Sequence, residues 1–170
     1  MKHTIMALVQ NQSGVLAHVA GMFAARGFNI DSLVVGRTED PSLSRMTIVV
    51  VGDDRVLEQV RKQLEKIVTV VKVRDFAEVD YVERDLSLVR VLVTPEKRPE
   101  VVELVNLFRG RVVDVARNSI MVELSGTEDK VEAFIELVRP YGIRELARTG
   151  VIAMQRGQQG NAKAEPEAEE

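Results

Sequence analysis

Residues 3–37 read HTIMALVQNQSGVLAHVAGMFAARGFNIDSLVVGR, and this stretch decides the fold. Residues 3–10 are rich in alternating apolar side chains, which predicts a strand, and Asn11-Gln12-Ser13-Gly14 supplies turn chemistry. Apolar side chains at helical spacing follow, up to Gly27 at the position where a glycine ends a helix. Residues 30–37 predict a second strand, so the stretch forms a strand–helix–strand unit.

The pattern continues through the next forty residues. Residues 45–51 and 68–76 predict two more strands, and the segment between them carries an apolar stripe at spacings of three and four residues. Asp53 is placed to cap this second helix. The resulting order is β-α-β-β-α-β, which is the ferredoxin-like arrangement.

A second set of the same elements follows between residues 85 and 154. Pro99 begins its first helix, Gly110 ends that helix, and Thr127 is placed to cap the second one. The predicted fold class is therefore α+β, with two tandem ferredoxin-like βαββαβ domains whose antiparallel sheets carry their helices on one face. The other face of each sheet must be covered by something else or stay in contact with water.

The predicted domains are an N-terminal domain at residues 1–76, a polar linker at 77–84, a C-terminal domain at 85–157 and a disordered acidic tail at 158–170. The tail holds four glutamates against Lys163, which equals the net charge of −3 of the whole chain. The body is therefore neutral, and aromatic residues make up only 4%. These properties argue against a nucleic-acid-binding protein, which needs a basic surface and stacking aromatics.

The remaining bulk properties narrow the class of protein. With 170 residues and 45% hydrophobic content, the chain can build two small cores. It has no cysteine, which fits a reducing cytoplasm, and no apolar run approaches the roughly 20 residues that span a bilayer. The N-terminus enters a strand pattern directly and does not resemble a signal peptide. We therefore predict a cytoplasmic protein without membrane contact.

Groups that could perform chemistry are few. The only histidines are His3 and His18, and neither has a carboxylate at metal-binding spacing beside it. The sequence signatures of a serine nucleophile elbow and of a phosphate-binding loop are both missing. We expect this chain to have no active site of its own and to bind no metal or cofactor.

The turn at Asn11-Gln12-Ser13-Gly14 is the first candidate binding site. A helix N-terminus presents free backbone N–H groups to an anion, and Gly14 would let a ligand approach the backbone closely. The amide of Asn11 can accept from an ammonium or donate to a carboxylate, the two groups of a free amino acid. The alternative is an ordinary strand-to-helix turn in which Ser13 caps the helix. Local chemistry by itself favours this alternative.

Two further features also have two interpretations. Asn29 lies just before an apolar strand, where it could contact a ligand or simply tolerate a left-handed turn. The small helix face formed by Gly14, His18, Gly21 and Ala25 could admit a neighbouring helix or face water. Because each sheet has one face without helices, we favour a contact between chains for the small face.

These residues resemble a known family. The segments NQSGVL at residues 11–16 and RGFNIDSL at 26–33 are similar to the first half of an ACT domain. The segment TEDPSLSRMTIV at 38–49 resembles the regulatory subunit family of acetolactate synthase, and FRG at 108–110 and ARTGV at 147–151 resemble its C-terminal domain. The resemblance covers about residues 1–157.

The resemblance implies a regulatory role. Such a subunit would dimerise through its ACT domains, activate a catalytic large subunit and make it sensitive to feedback inhibition by valine. Thiamine diphosphate, Mg²⁺ and FAD would belong to that catalytic partner and not to this chain. The effector would bind between two ACT domains. The family motif assigns it these residues: Asn11, Gly14, Val15, Leu16, Asn29 and Ile30.

Two other functions fit the sequence less well. A stand-alone amino-acid-sensing ACT protein could regulate another enzyme or transcription, but the chain has no helix-turn-helix signature. An RNA-binding module can share the β-α-β-β-α-β order, but it needs aromatics on its central strands. The predicted strand at residues 45–51 has none.

Overall fold

The computed structural model describes residues 1–157 and has two domains of the same topology. The first domain consists of β1 (Lys2–Gln10), α1 (Val15–Ala25), β2 (Ile30–Arg37), β3 (Leu43–Val51), α2 (Asp54–Leu64) and β4 (Val70–Asp75). Its strands pair antiparallel in the order β2-β3-β1-β4. Residues 158–170, predicted as a disordered tail, lie outside the described residues.

The second domain repeats this order. It consists of β5 (Tyr81–Leu92), α3 (Arg98–Leu107), β6 (Arg111–Ala116), β7 (Ser119–Gly126), α4 (Glu128–Val138), a 3₁₀ turn (Arg139–Tyr141), β8 (Ile143–Arg148) and β9 (Ile152–Gln155). The order β6-β7-β5-β8 matches that of the first sheet, and β9 pairs with β5 outside this series. The predicted fold class, two ferredoxin-like domains with antiparallel sheets, is confirmed.

Each domain has its own core between one sheet face and two helices. In the first core, alternate residues of β1 such as Ile5 and Ala7 meet Phe23 of α1, and all three are almost fully buried. In the second core, Val89 of β5 and Phe134 of α4 are completely buried. The alternation along the strands and the stripes along the helices therefore identify the core faces, as expected.

The segment between the domains differs from the prediction of a linker at residues 77–84. Strand β5 begins at Tyr81, and residues 81–84 pair with β9 near the end of the described chain. Tyr81, Val82 and Glu83 of this segment are partly buried. Its partner strand lies about 70 residues later, and local patterns give no information about such a distant pairing.

The last strand also covers part of the first sheet. Ala153 of β9 is buried together with Met6 and Phe76, which lie on the side of the first sheet that has no helices. Arg45 donates to the Ala153 carbonyl at 2.6 Å, and burial is the main reason that the pKa of Arg45 is lowered. The open face expected for this sheet is therefore partly covered by residues of the second domain.

The helix caps agree with the sequence at two of three positions. Asp53 accepts from the Val56 N–H at 2.9 Å, and Thr127 accepts from the Lys130 N–H at 3.4 Å, as predicted. The prediction that Ser13 caps α1 is wrong. Gly14 occupies the cap position with a left-handed backbone (φ 86°), and no side chain bonds to the first turn.

The end of α3 also differs from the prediction, and it provides a test of stability. The left-handed residue is Arg109 (φ 55°), not Gly110. Gly110 is needed for close packing instead, because an added Cβ would lie 3.1 Å from the Glu123 carbonyl oxygen.

We expect Arg109→Gly to stabilise the protein by about 0.5–1 kcal/mol, since glycine adopts this backbone without strain. Urea denaturation measures the change, and a lower midpoint would contradict it. Gly110→Ala, the control, should destabilise.

Candidate effector site

The turn before α1 is held by the loop between β2 and β3. The Asn11 side chain donates to the Pro41 carbonyl at 2.9 Å, and the Asn11 backbone N–H donates to the Ser42 carbonyl at 2.7 Å. Gly14 faces open space, with nothing within 4 Å of the position that a Cβ would occupy. Asn11 therefore fixes the turn, and the backbone at Gly14 is accessible to a ligand.

The first residues of α1 contribute backbone groups more than side chains. Val15 is buried in the core, so only its N–H can reach a ligand, whereas Leu16 is 45% exposed. Since no side chain caps α1, the N–H groups of its first turn remain available, and the helix dipole makes this end partly positive. The arrangement can bind a carboxylate.

Asn29 and Ile30 lie at the other end of α1. Gly27 turns the chain with a left-handed backbone (φ 67°), and the exposed Asn29 then leads into β2. Ile30 is partly buried against the first core and begins the strand. The exposed amide of Asn29 and the partly exposed side chain of Ile30 offer one polar and one apolar contact.

In one chain these two groups are far apart. Ile30 pairs with Val50 at one end of β3. At the other end Gln10 pairs with Leu43, and Asn11 directly follows Gln10. The seven residue steps from Leu43 to Val50 correspond to about 23 Å of strand. A single amino-acid ligand is much smaller than this distance. One chain therefore brings together Asn11 with Gly14, Val15 and Leu16, but it does not bring them to Asn29 and Ile30.

The edge of the first sheet lies close to both groups. Strand β2 pairs only with β3 among the described strands, so its other edge presents backbone N–H and C=O groups that can pair with a further strand. Helix α1 connects β1 to β2, whereas α2 packs on β1 and β4. Helix α1 therefore lies over the half of the sheet that ends in this free edge.

The small face of α1 does not point to that edge. His18 and Gly21 line a groove of about 570 Å³ together with Gln63 and Lys66 of α2. The face therefore borders an open groove beside α2, and its contact with a second chain stays a prediction. By helical geometry the flank on the opposite side, towards β2, carries Leu16 and Ala20.

Other kinds of site are not formed by the described residues. Within residues 1–157, no group of three or more potential metal ligands is close enough to hold an ion. No helix in the same range is long and apolar enough to cross a membrane. His3 lies 3.1 Å from the Gly52 carbonyl, an ordinary structural contact.

The comparisons with known proteins agree over the whole described length. A family described as "AHAS small subunit-like ACT domain" matches residues 5–72, and one described as "Small subunit of acetolactate synthase" matches residues 84–157. The probable acetolactate synthase small subunit of Archaeoglobus fulgidus is 62% identical, over 92% of this chain and 98% of that protein. The small subunit of Mycolicibacterium smegmatis is 47% identical, over 93% of both chains.

A solved structure supports the same assignment. The crystal structure of the acetolactate synthase small subunit from Thermotoga maritima is 43% identical, with a TM-score of 0.84. The superposition covers 94% of this chain and 99% of that one. The fold, both domains and the sequence therefore match those of acetolactate synthase small subunits. The chain belongs to the family of acetolactate synthase small, regulatory subunits.

Proposed function

We propose that this chain activates the catalytic large subunit of acetolactate synthase in the cytoplasm and makes it sensitive to inhibition by valine. The main support is the family match across both domains. Thiamine diphosphate, Mg²⁺ and FAD belong to the catalytic subunit in this proposal, and this chain contributes only the effector site.

The proposed effector site is shared between two chains. Two copies of β2 that pair antiparallel across a two-fold axis would place the start of one strand beside the end of the other. The end of β2 is also the end of the sheet at which Asn11 and Gly14 lie. The dimer would therefore bring Asn29 and Ile30 of one chain to the α1 N-terminus of a second chain, and would form two equivalent sites.

The chemistry of the two groups fits an apolar amino acid. The carboxylate of valine would accept from the N–H groups around Gly14 and Leu16, where the helix dipole favours an anion. The ammonium would donate to an amide oxygen of Asn11 or Asn29. The branched side chain would contact Ile30. An apolar pocket separates valine from leucine or isoleucine by only about 1–3 kcal/mol, so the three compete for one site.

A ligand between two chains acts through their arrangement. It shifts the equilibrium between two quaternary states by the difference in its affinity for them. Valine would favour the state in which the two first domains close on each other. The catalytic subunit would be less active when bound to that state.

Reconstitution with the catalytic subunit tests the activity. We expect this chain to raise the turnover of the catalytic subunit, and valine to lower the turnover of the complex but not that of the catalytic subunit alone. A steady-state assay with and without the chain measures both effects. A catalytic subunit that is unaffected by the chain would refute the assignment.

Mixed dimers test whether the site is shared. Asn11→Ala and Asn29→Ala chains should each fail to bind valine as homodimers. After unfolding and refolding together, they should regain about a quarter of the wild-type sites, because each mixed dimer has one intact site. Calorimetry counts the sites. A site within one chain predicts no recovery. The control mixes Asn11→Ala with wild-type chain, which should retain half of the sites.

A further inference from the structure

Strand β2 carries an irregularity directly beside the proposed effector residues. Ile30 pairs with Val50 and Ser32 with Val49, so Asp31 is an extra residue without a partner in β3. Such a bulge turns a side chain away from its regular direction and bends the strand locally. Here the Asp31 carboxylate binds the Lys2 ammonium, with 2.9 Å between Oδ2 and Nζ.

Lys2 joins this bulge to the second domain. Its ammonium also donates to Glu128 of α4, with 2.7 Å between Nζ and Oε1. Glu128 is the first residue of α4, and its backbone N–H donates to Glu83 of β5 at 3.2 Å. The hydrogen bonds that its ammonium donates to Glu128 and, second, to Asp31 raise the pKa of Lys2 above its usual value. One side chain of β1 thus connects the two domains.

The charges around this bridge leave no substitute for Lys2. The bridge lies in a polar cleft of about 370 Å³ between the domains, and two cations and four carboxylates line it. Arg148, the other cation, already binds Asp85 and Glu132. Without Lys2, the carboxylates of Asp31 and Glu128 would therefore repel each other across the cleft.

The residue after the bulge forms a second link. The Ser32 hydroxyl oxygen accepts from the Val151 N–H at 3.1 Å. A Cβ on Gly150 would lie 2.5 Å from the same hydroxyl oxygen, so the two domains are in close contact here. Two consecutive residues of β2 are therefore linked to the second domain, Asp31 through Lys2 and Ser32 directly. They directly follow Asn29 and Ile30.

We propose that Asp31, Lys2 and Glu128 couple effector binding to the orientation of the second domain. The inference rests on the proposed effector site at Asn29 and Ile30. A ligand there alters the backbone conformation of the bulge, and this displaces the Asp31 carboxylate. Lys2 follows the carboxylate, and its contact with Glu128 at the N-terminus of α4 changes as a result. The side chains of Lys2, Asp31 and Glu128 are 48%, 34% and 19% exposed, so the bridge can break and form without a large barrier. A partly exposed ion pair shifts an equilibrium by about fivefold at most, which suits a regulator.

Removing the Lys2 charge in the complex with the catalytic subunit tests the coupling. Lys2→Met should leave valine binding by the isolated chain nearly unchanged but should reduce the inhibition ratio, valine-free over valine-saturated turnover, by up to about fivefold. The matched control is Lys62→Met, which removes the Lys62–Glu58 ion pair within α2 and should leave the ratio unchanged. An inhibition ratio of Lys2→Met equal to that of the wild type would overturn the proposal.

A double-mutant cycle distinguishes coupling from a general loss of stability. Glu128→Gln should reduce the inhibition ratio as Lys2→Met does, and the double variant should be no worse than either one. Additive effects of the two substitutions would mean that the residues act separately, and would overturn the proposal.

A distance measurement tests the bridge without valine. Because the chain has no cysteine, spin labels can be placed at Gln59→Cys in α2 and Ala133→Cys in α4. Labelled chain is diluted with excess unlabelled chain, so that double electron–electron resonance reports only the distance between the two labels within one chain. We expect a broader distribution in Lys2→Met than in the wild type or Lys62→Met. If wild-type chain binds no valine, the proposed function fails, and an unchanged distribution in Lys2→Met still overturns the role of Lys2.

Discussion

Gly14→Asp is expected to weaken valine binding by roughly two to three orders of magnitude. The new carboxylate would lie at the N-terminus of α1, about 4 Å from the proposed position of the ligand carboxylate, where the repulsion amounts to roughly 4 kcal/mol near a protein surface. It would also compete for the N–H groups of the first turn. Calorimetry with the isolated chain measures the loss, and wild-type affinity in this variant would refute the proposed pose.

The backbone at Gly14 makes matched controls possible. Its φ of 86° strains any side chain, but a Cβ there meets nothing within 4 Å, so the fold should accept a substitution. Asparagine has the size of aspartate without its charge and tolerates a left-handed backbone. Gly14→Asn should therefore bind valine distinctly better than Gly14→Asp. Equal losses in both variants would attribute the effect to bulk and not to charge.

Arg148→Met is expected to have the largest effect on stability. Asp85 is 1% exposed, and Arg148 donates to it from Nε at 2.8 Å. Without the guanidinium, the buried carboxylate would have lost its counter-charge, which destabilises a fold by about 3–5 kcal/mol. Urea denaturation at neutral pH measures the change. A loss below 1 kcal/mol would contradict the structural role of this pair. Arg139→Met, which removes the exposed pair with Glu136, serves as the control.

A second substitution at the same pair provides an independent check, because a neutral amide at position 85 needs no counter-charge. The double variant with Asp85→Asn should regain much of the lost stability at neutral pH.

The elements that follow from local chemistry agree with the sequence. The strands alternate, the helices carry apolar stripes, and Asp53 and Thr127 cap their helices because an oxygen side chain there meets free N–H groups. Ser13 fails as a cap because Gly14, one residue later, takes the turn with a positive φ. Arg109 adopts a left-handed backbone that its residue type does not indicate. Strand residues 81–84 depend on β9, a partner distant in sequence.

The candidate site also depends on contacts between residues that are distant in sequence. The residue types alone draw attention to Asn11, Gly14 and Asn29, because amides and a glycine beside a helix end suit an amino acid. Their positions at opposite ends of β3 follow only from the strand register, which is a property of the whole sheet. Completion of the proposed site by a second chain therefore follows from the register and not from the residue types.

The strand β9 has a consequence for synthesis of the chain. Met6 and Phe76 are complete early in translation, but Ala153, which covers them, is added 77 residues after Phe76. At roughly 5–20 residues per second, the apolar face of the first sheet stays open for roughly 4–15 s or longer on the ribosome. During this time the nascent chain presents both this face and the free edge of β2. A chaperone that binds apolar surface, or prompt pairing with a second nascent chain, would protect it until the C-terminal strand emerges.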